Sequence, residues 1–169
     1  MEEEASRKLA VLLHADIVGS TALVQADESL AHHRIQDTFR RCSTVITNHG
    51  GTTTHEIRGD ALVSEFSKGS DAVAASVDFQ VANANHNEEI IDRLRPVVRV
   101  GIAMGEVVVA DNTVTGEGVI LAQRLEQLAV PGEVWIQGAV FETVPKRLPF
   151  EYESLGEREL KGFKEPVKA

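Results

Sequence analysis

The chain of 169 residues has the length of a single domain, and its 43% hydrophobic and 25% charged residues are typical of globular proteins. Its formal net charge of -9 argues against nucleic-acid binding, because a protein that tracks phosphates needs a basic surface. One cysteine excludes an intrachain disulfide, and no apolar run has membrane-spanning length or a signal-peptide pattern, so we expect a cytoplasmic protein without a membrane segment.

The first predicted element is a buried central strand over residues 8–18, whose nearly continuous apolar run ends at Asp16. A glycine and two hydroxyl residues follow at positions 19–21, and they predict a turn with hydroxyl caps for a short helix. Apolar residues at helical spacing then predict a helix over residues 29–49, which ends at two glycines.

The middle and end of the chain mix strand pairs with helices. A β-hairpin is predicted with strands 52–58 and 61–66. After it we predict a helix over 71–85, strands 97–104 and 106–110 on either side of Gly105, a helix over 118–129, a strand over 133–136, a short helix over 138–144, and a last hairpin of 153–159 and 161 onward. This order predicts an α+β fold with a mainly antiparallel sheet rather than a doubly wound parallel one.

The domain organisation follows from the same pattern. We expect residues 1–7 to form an N-terminal extension and residues 8–169 to form one domain, since no repeat or low-complexity linker interrupts them. The chain stops a few residues into its last predicted strand, so we expect it to be part of a longer protein.

Two aspartates lie at comparable positions, because Asp16 ends a strand and Asp60 precedes one, each near a glycine. If the strands are neighbours, both carboxylates leave the same sheet edge and could hold magnesium ions on a triphosphate. The backbone N–H groups of Gly19, Ser20 and Thr21 would suit the phosphates. The spacing alone leaves an alternative open, in which Asp60 occupies a turn and Asp16 caps the next helix.

Six segments in this order and spacing resemble the catalytic domain of class III adenylyl and guanylyl cyclases: HADIVGST, RGDALVSEF, VRVGIAMGEVV, TGEGVILAQRLE, PGEVWI and LKGF. The resemblance covers residues 8–169 and implies the nucleotide cyclase fold, a ferredoxin-like α/β sandwich. It also implies a lyase of cyclic-nucleotide signalling, which converts ATP or GTP to the 3′,5′-cyclic nucleotide and pyrophosphate.

The resemblance assigns roles to individual residues. Asp16 and Asp60, together with the backbone carbonyl of Ile17, match the ligands of two Mg²⁺ or Mn²⁺ ions that polarise the ribose 3′-hydroxyl for attack on the α-phosphorus. The family works as a head-to-tail homodimer with shared sites, and Arg124 matches the arginine that stabilises the transition state from the partner subunit. Lys161 resembles a lysine that contacts the triphosphate.

Three positions depart from the pattern of an adenylyl cyclase. Glu56 replaces the usual lysine, and a carboxylate favours guanine or relaxed specificity because guanine offers N–H donors. Thr113, at the second base-reading position, does not decide between purines. Ile120 replaces a ribose-positioning asparagine, and one lost hydrogen bond costs about 1–3 kcal/mol, or roughly one to two decades of rate.

These departures keep a second function open. Glu56 and Ile120 are also compatible with a catalytically weak or silent nucleotide-binding and dimerisation module, flanked by regulatory domains in a longer signalling protein. The aspartate pair and Arg124 favour the enzyme.

Overall fold

The computed structural model describes residues 6–57, 61–110 and 113–169, with the backbone alone for residues 53–57. Its strands are β1 (Ser6–Ile17), β2 (Thr52–Ile57), β3 (Ala61–Phe66), β4 (Val98–Ala110), β5 (Thr113–Thr115), β6 (Val134–Ile136), β7 (Glu157–Arg158) and β8 (Val167–Lys168). Its helices are α1 (Ser20–Ala26), α2 (Glu28–Asn48), α3 (Gly69–Glu88), α4 (Glu117–Leu128) and α5 (Gly138–Thr143).

Strand β1 lies at the centre of the main sheet, whose order is β2-β3-β1-β4-β5, with β6 paired to β4. It runs antiparallel to both β3 and β4, and β6 is the parallel member. The apolar run of β1 predicted a strand covered on both faces, and Leu12 and Leu13, which point to opposite faces, are both buried. The predicted α+β fold with a mainly antiparallel sheet is confirmed.

Two hydrophobic layers enclose this sheet. On one face, side chains of α2 and α3 such as Ile35, Phe39 and Phe79 pack against Leu13 and its neighbours. On the other face, Leu121 and Leu125 of α4 pack against alternate residues of the strands, namely Ala10, Leu12, Val63, Ala103 and Val107. The period-two alternation of β1 therefore decides which of its residues lie beneath α4.

Helix α4 approaches the sheet closely because β4 carries glycines beneath it. A Cβ atom on Gly101 would lie 2.2 Å from the carbonyl oxygen of Ala122, and one on Gly105 would lie 2.9 Å from the Cα atom of Gly118. Any side chain at these two positions would push the helix outward. The close approach brings the inner side of α4 directly over the polar end of β1 and β4.

Several predicted boundaries are corrected. Strand β4 runs through Gly105 without a break, because its residues stay paired with β1 along most of that long strand. The short strand β5 was not predicted, and the last hairpin has only two residues in each strand. Strand β1 begins at Ser6, whereas the division of the chain at residues 7 and 8 stays a prediction.

The predicted helix over residues 71–85 is present as α3, but its apolar spacing does not mark the buried face in the second half of the helix. Val81 is 57% exposed, whereas Asn83 and Asn87 are buried. Both amides donate to the carbonyl oxygen of Pro96, at 3.0 and 2.8 Å, so the helix turns polar residues inward to bind the loop before β4. Across the described parts of the chain, none of these helices combines the length and apolarity needed to cross a bilayer.

Candidate active site

The site begins at Asp16, which lies near the end of β1 with its side chain partly exposed. In the antiparallel register its neighbours are Ala61 on β3 and Arg99 on β4. Ala61 directly follows Asp60 in the sequence, whereas Asp60 itself lies outside the described residues. The structure thus bears out that the strand ending at Asp16 and the strand that follows Asp60 are neighbours in the sheet.

The donor chemistry at this edge fits a hard divalent cation, because Asp16 offers carboxylate oxygens of the kind that Mg²⁺ and Mn²⁺ take. Ile17, whose carbonyl is a predicted ligand, pairs with Val98 and buries its side chain. Among the described residues no three His, Cys, Asp or Glu side chains form a metal-binding group. Asp60, the second predicted carboxylate ligand, lies outside these residues.

Gly19 has a φ of 64°, the left-handed conformation that glycine adopts without strain, and it precedes α1. The predicted hydroxyl caps are not formed, since no side chain caps this helix. The reason is that the glycine itself occupies the N-cap position, with its carbonyl accepting from the N–H of Leu23 at 3.1 Å. Ser20 and Thr21 form the first turn, where backbone N–H groups lack helical acceptors.

Arg99 is a site residue that the sequence analysis missed. Its guanidinium lies between Asp16 and Glu126 of α4. The Nη2 atom is 4.0 Å from Oδ2 of Asp16, and the Nε atom is 3.0 Å from Oε1 of Glu126. The second contact is an ion pair without hydrogen-bond alignment, while Nη1 donates to the carbonyl of Gln127 at 3.3 Å. A charge inside the apolar stretch VRV was the available signal for it.

Glu126, which the sequence analysis also missed, lies on the inner face of α4 and has 1% of its side chain exposed. Burial raises the pKa of this carboxyl to about 7, an effect that Arg99 opposes and the charge of Asp16 adds to. The signal in the sequence was a glutamate on the inner face of α4, beside the buried Leu125 and one turn after Ala122.

His14 of β1, which is also buried, completes this polar cluster. Its Nδ1 lies 3.8 Å from Oε2 of Glu126, which is too long for a hydrogen bond. Burial lowers the pKa of His14 to about 4, so the imidazole is neutral near pH 7 and the pair carries no ionic attraction there.

The structure brings two other predicted residues together at the outer side of α4. The Nε of Arg124 donates to the backbone carbonyl of Lys161 at 3.2 Å, and its Nη1 donates to Oε1 of Gln127 at 3.1 Å. The Lys161 side chain is exposed and borders a surface cavity formed by residues 159–166. Ile120, one turn before Arg124, is 44% exposed, so an apolar side chain faces outward there.

The structure describes the two predicted base-reading residues, Glu56 and Thr113, only in part. Glu56 pairs with Leu62 in the backbone register of β2 and β3, and its side chain lies outside the description. Thr113 opens β5, and its exposed hydroxyl donates to the carbonyl of Ala110 at 2.6 Å. That hydroxyl therefore has only acceptor capacity left for another group.

The sequence matches the family described as the adenylate and guanylate cyclase catalytic domain over residues 2–169. The putative adenylate cyclase 3 of Rhizobium meliloti (strain 1021) is 30% identical over 166 residues, which make up 98% of this chain and 28% of that protein. The chain spans 28–61% of the length of the protein relatives that it matches.

Solved structures agree with this match. The adenylate/guanylate cyclase/hydrolase from Silicibacter pomeroyi has a TM-score of 0.87 at 26% identity, and the alignment covers 98% of this chain and 96% of that one. The guanylyl cyclase Cya2 has a TM-score of 0.78 at 26% identity, with 99% and 92% of the two chains covered.

Proposed function

Because the chain belongs to the adenylate and guanylate cyclase catalytic domain family, we propose that it is a purine nucleotide cyclase that converts ATP or GTP to the 3′,5′-cyclic nucleotide and pyrophosphate. The observation that carries the proposal is Asp16, a partly exposed carboxylate at the end of the central strand, next to the strand that follows Asp60. A cytoplasmic location and flanking regulatory domains belong to the same proposal. The larger size of the relatives supports the flanking domains.

The site would hold the triphosphate through two groups of residues. Asp16, Asp60 and the carbonyl of Ile17 would bind two Mg²⁺ or Mn²⁺ ions, which when bound acidify the ribose hydroxyl and neutralise phosphate charge. The N–H groups of the 19–21 turn would donate to phosphate oxygens, as helix starts do. Lys161 would contribute a positive charge to the triphosphate.

In the reaction the ribose 3′-oxygen attacks the α-phosphorus and forms the new ester bond. The bond between the α-phosphorus and the oxygen that bridges to the β-phosphorus breaks, and pyrophosphate leaves with that electron pair. The hydroxyl proton passes to water. A guanidinium at the α-phosphate stabilises the charge that develops in the transition state, which is the role proposed for Arg124.

The direction of the side chains on α4 supports a shared site at a homodimer interface. Glu126 points inward to the Asp16 side of the sheet, and Arg124, two residues earlier, lies about 200° away around the helix. Arg124 thus faces away from its own Asp16 side. We propose that Arg124 of the partner subunit completes each site.

Both purines remain candidate substrates. Glu56 favours guanine, because a carboxylate accepts from its N1–H and N2–H₂ groups, while adenine offers an acceptor at N1. The relatives are named for both activities, as an adenylate cyclase and as a guanylyl cyclase. We propose that GTP is accepted at least as well as ATP.

A catalytically silent nucleotide-binding module is the second candidate, and the outward-facing Ile120 favours it. One assay separates the two functions. Purified protein is incubated with Mn²⁺ and either ATP or GTP, and cAMP and cGMP are quantified beside an Asp60→Ala control. The enzyme requires product above that control with at least one nucleotide, and equal traces from both proteins would favour the silent module.

A further inference from the structure

Arg124 is held at two points on the outer side of α4. Its Nε donates to the backbone carbonyl of Lys161 at 3.2 Å, and its Nη1 donates to Oε1 of Gln127 at 3.1 Å. Within the described part of the chain these are the hydrogen bonds of the guanidinium, and its Nη2 has no acceptor there. Because the guanidinium is a rigid fork, the two contacts also fix the direction of Nη2.

Both acceptors of Arg124 are neutral groups. A carboxylate in either place would also hold the guanidinium, yet it would offset the positive charge that the proposed transition state needs. The amide oxygen of Gln127 and the peptide carbonyl of Lys161 orient the side chain and leave its charge intact. An arginine on a helix surface otherwise samples many rotamers, and their loss would oppose the reaction at every turnover.

The direction of the Lys161 carbonyl is set by the turn that contains it. The N–H of Phe163 donates to the carbonyl oxygen of Leu160 at 3.1 Å, and Gly162 has a φ of 90°. This hydrogen bond and a positive φ at the third residue are the pattern of a type II turn, whose central peptide is rotated by roughly 150–170° from that of a type I turn. That peptide carries the Lys161 carbonyl, so Gly162 decides where the acceptor points.

The two ends of this turn are anchored in the protein. Leu160 is buried in the hydrophobic layer beneath α4, and the partly buried Phe163 packs against the same layer. Between them, a Cβ atom on Gly162 would meet no atom within 4 Å. A side chain at position 162 therefore has room, and what it disturbs is the backbone conformation alone.

We propose that Gly162 and Gln127 are positioning residues of Arg124, which hold its guanidinium so that Nη2 faces the α-phosphate in the site shared with the partner subunit. This inference rests on the proposed function, since it takes Arg124 as the group that stabilises the transition state. Gly162→Ala moves the turn toward type I, so the Lys161 carbonyl turns away and Nε loses its acceptor. Gln127→Met removes the acceptor of Nη1 and keeps a side chain of similar length and helix propensity.

The competing explanation is structural, in which the turn and Gln127 only fasten the β7–β8 hairpin to α4. A structural role lowers the temperature of thermal unfolding in the variants and leaves kcat unchanged. A positioning role lowers kcat, because the guanidinium acts on the transition state. It leaves KM unchanged, because binding of the substrate in its ground state does not depend on that group.

The test compares the wild type with Gly162→Ala and Gln127→Met through two readouts on the full chain. Steady-state kinetics with Mn²⁺ and the better substrate of ATP and GTP give kcat and KM. Nuclear magnetic resonance without nucleotide gives the ¹⁵N order parameter of the Arg124 Nε–H group, whose signal is identified by its absence in Arg124→Lys. This second readout is independent of turnover.

We expect each variant to lower kcat about tenfold while KM stays within about twofold of the wild type. The order parameter of the Arg124 Nε–H group should fall in both variants from the range of a rigid group to below about 0.6. The double variant should be slower than either single one, because both restraints are then gone.

Two matched controls repeat these exchanges away from Arg124. Gly50 also has a positive φ, 82°, and no atom within 4 Å of an added Cβ, but it follows α2, so Gly50→Ala carries the same backbone cost. Gln36→Met repeats the glutamine exchange on the exposed surface of α2, which packs on the opposite face of the sheet from α4. Both controls should keep the kcat and the order parameter of the wild type.

The possible failures are distinguishable. If the wild type forms no more product than Asp60→Ala, the proposed function is wrong and the catalytic role of both positioning residues falls with it. If the wild type is active and both variants keep its kcat, the positioning role alone is overturned, and an unchanged order parameter in both variants would overturn it as well. Should Gly162→Ala not fold, Gln127→Met decides by itself, because Gln127 is exposed and its replacement leaves the core intact.

Discussion

The carboxylate of Glu126 and the guanidinium of Arg99 meet where α4 lies over β4, with Oε1 3.0 Å from Nε. The contact is made possible by Gly101, whose missing side chain lets the backbone of Ala122 and Glu126 approach the strand. It joins the helix that carries Arg124 to the strand beside Asp16. The contact thus links the two residues that one chain would contribute to the two shared sites of the proposed dimer.

We expect Glu126→Gln to change the pH dependence of stability. Burial raises the pKa of Glu126 from 4.5 to about 7, so the folded state binds more protons than the unfolded state between these values. The contribution of Glu126 to the free energy of unfolding of the wild type is therefore highest below pH 4.5. It falls by on the order of 3 kcal/mol as the pH rises through 7. Urea unfolding at pH 5, 6, 7 and 8 should show the variant gaining stability relative to the wild type as the pH rises, and a pH-independent difference would contradict this.

Ile120→Asn should accelerate the reaction. An amide one turn before Arg124 can bind the ribose, which an apolar side chain cannot, and one such contact is equivalent to about 1–3 kcal/mol. We expect kcat to rise by roughly tenfold to a hundredfold. Leu128→Asn is the matched control, because Leu128 is exposed to 43% on the same helix, compared with 44% for Ile120. Equal rates for both variants would show that position 120 does not reach the substrate.

Mixing two inactive variants tests the shared site. Asp16→Ala and Arg124→Ala each lose an essential group, yet a mixed dimer keeps one complete site, because one chain supplies the intact Asp16 and the other the intact Arg124. Random mixing should restore about a quarter of the wild-type activity, since half of the dimers are mixed and each has one good site. The comparison is the doubly substituted chain mixed with either single variant, which should stay inactive. No rescue in confirmed mixed dimers would argue for sites built within single chains.

Glu56→Lys should shift the purine preference toward ATP. An ammonium group donates to the N1 acceptor of adenine and repels the donor edge of guanine. The ratio of cAMP to cGMP formed from equal ATP and GTP should rise by at least about tenfold, the effect of roughly 1.4 kcal/mol in discrimination. Glu65→Lys, a charge reversal on the neighbouring strand β3, controls for the change in net charge. An unchanged product ratio would mean that Glu56 does not read the base.

Much of the fold follows from local patterns in the sequence. The apolar run of β1 required a strand covered on both faces, and Leu12 and Leu13 are buried in opposite layers. The spacing of Phe39 and Ile46 on α2 required an inward stripe, which is present. Such features are readable because each depends on the period of one element and on its own side chains. The buried face of α3 in its second half is not readable in this way, because Asn83 and Asn87 point inward to donate to the carbonyl oxygen of Pro96.

The sequence by itself determined the family and the position of Asp16 at the end of an apolar strand, which depends only on its neighbours in the chain. It predicted Arg124 and Lys161 separately, and only the tertiary structure joined them through a backbone carbonyl, which no sequence pattern reveals. The same holds for Arg99 and Glu126, which are 27 positions apart and meet because Gly101 admits α4. A strand residue faces whatever is packed above it, and that packing is a property of the whole fold.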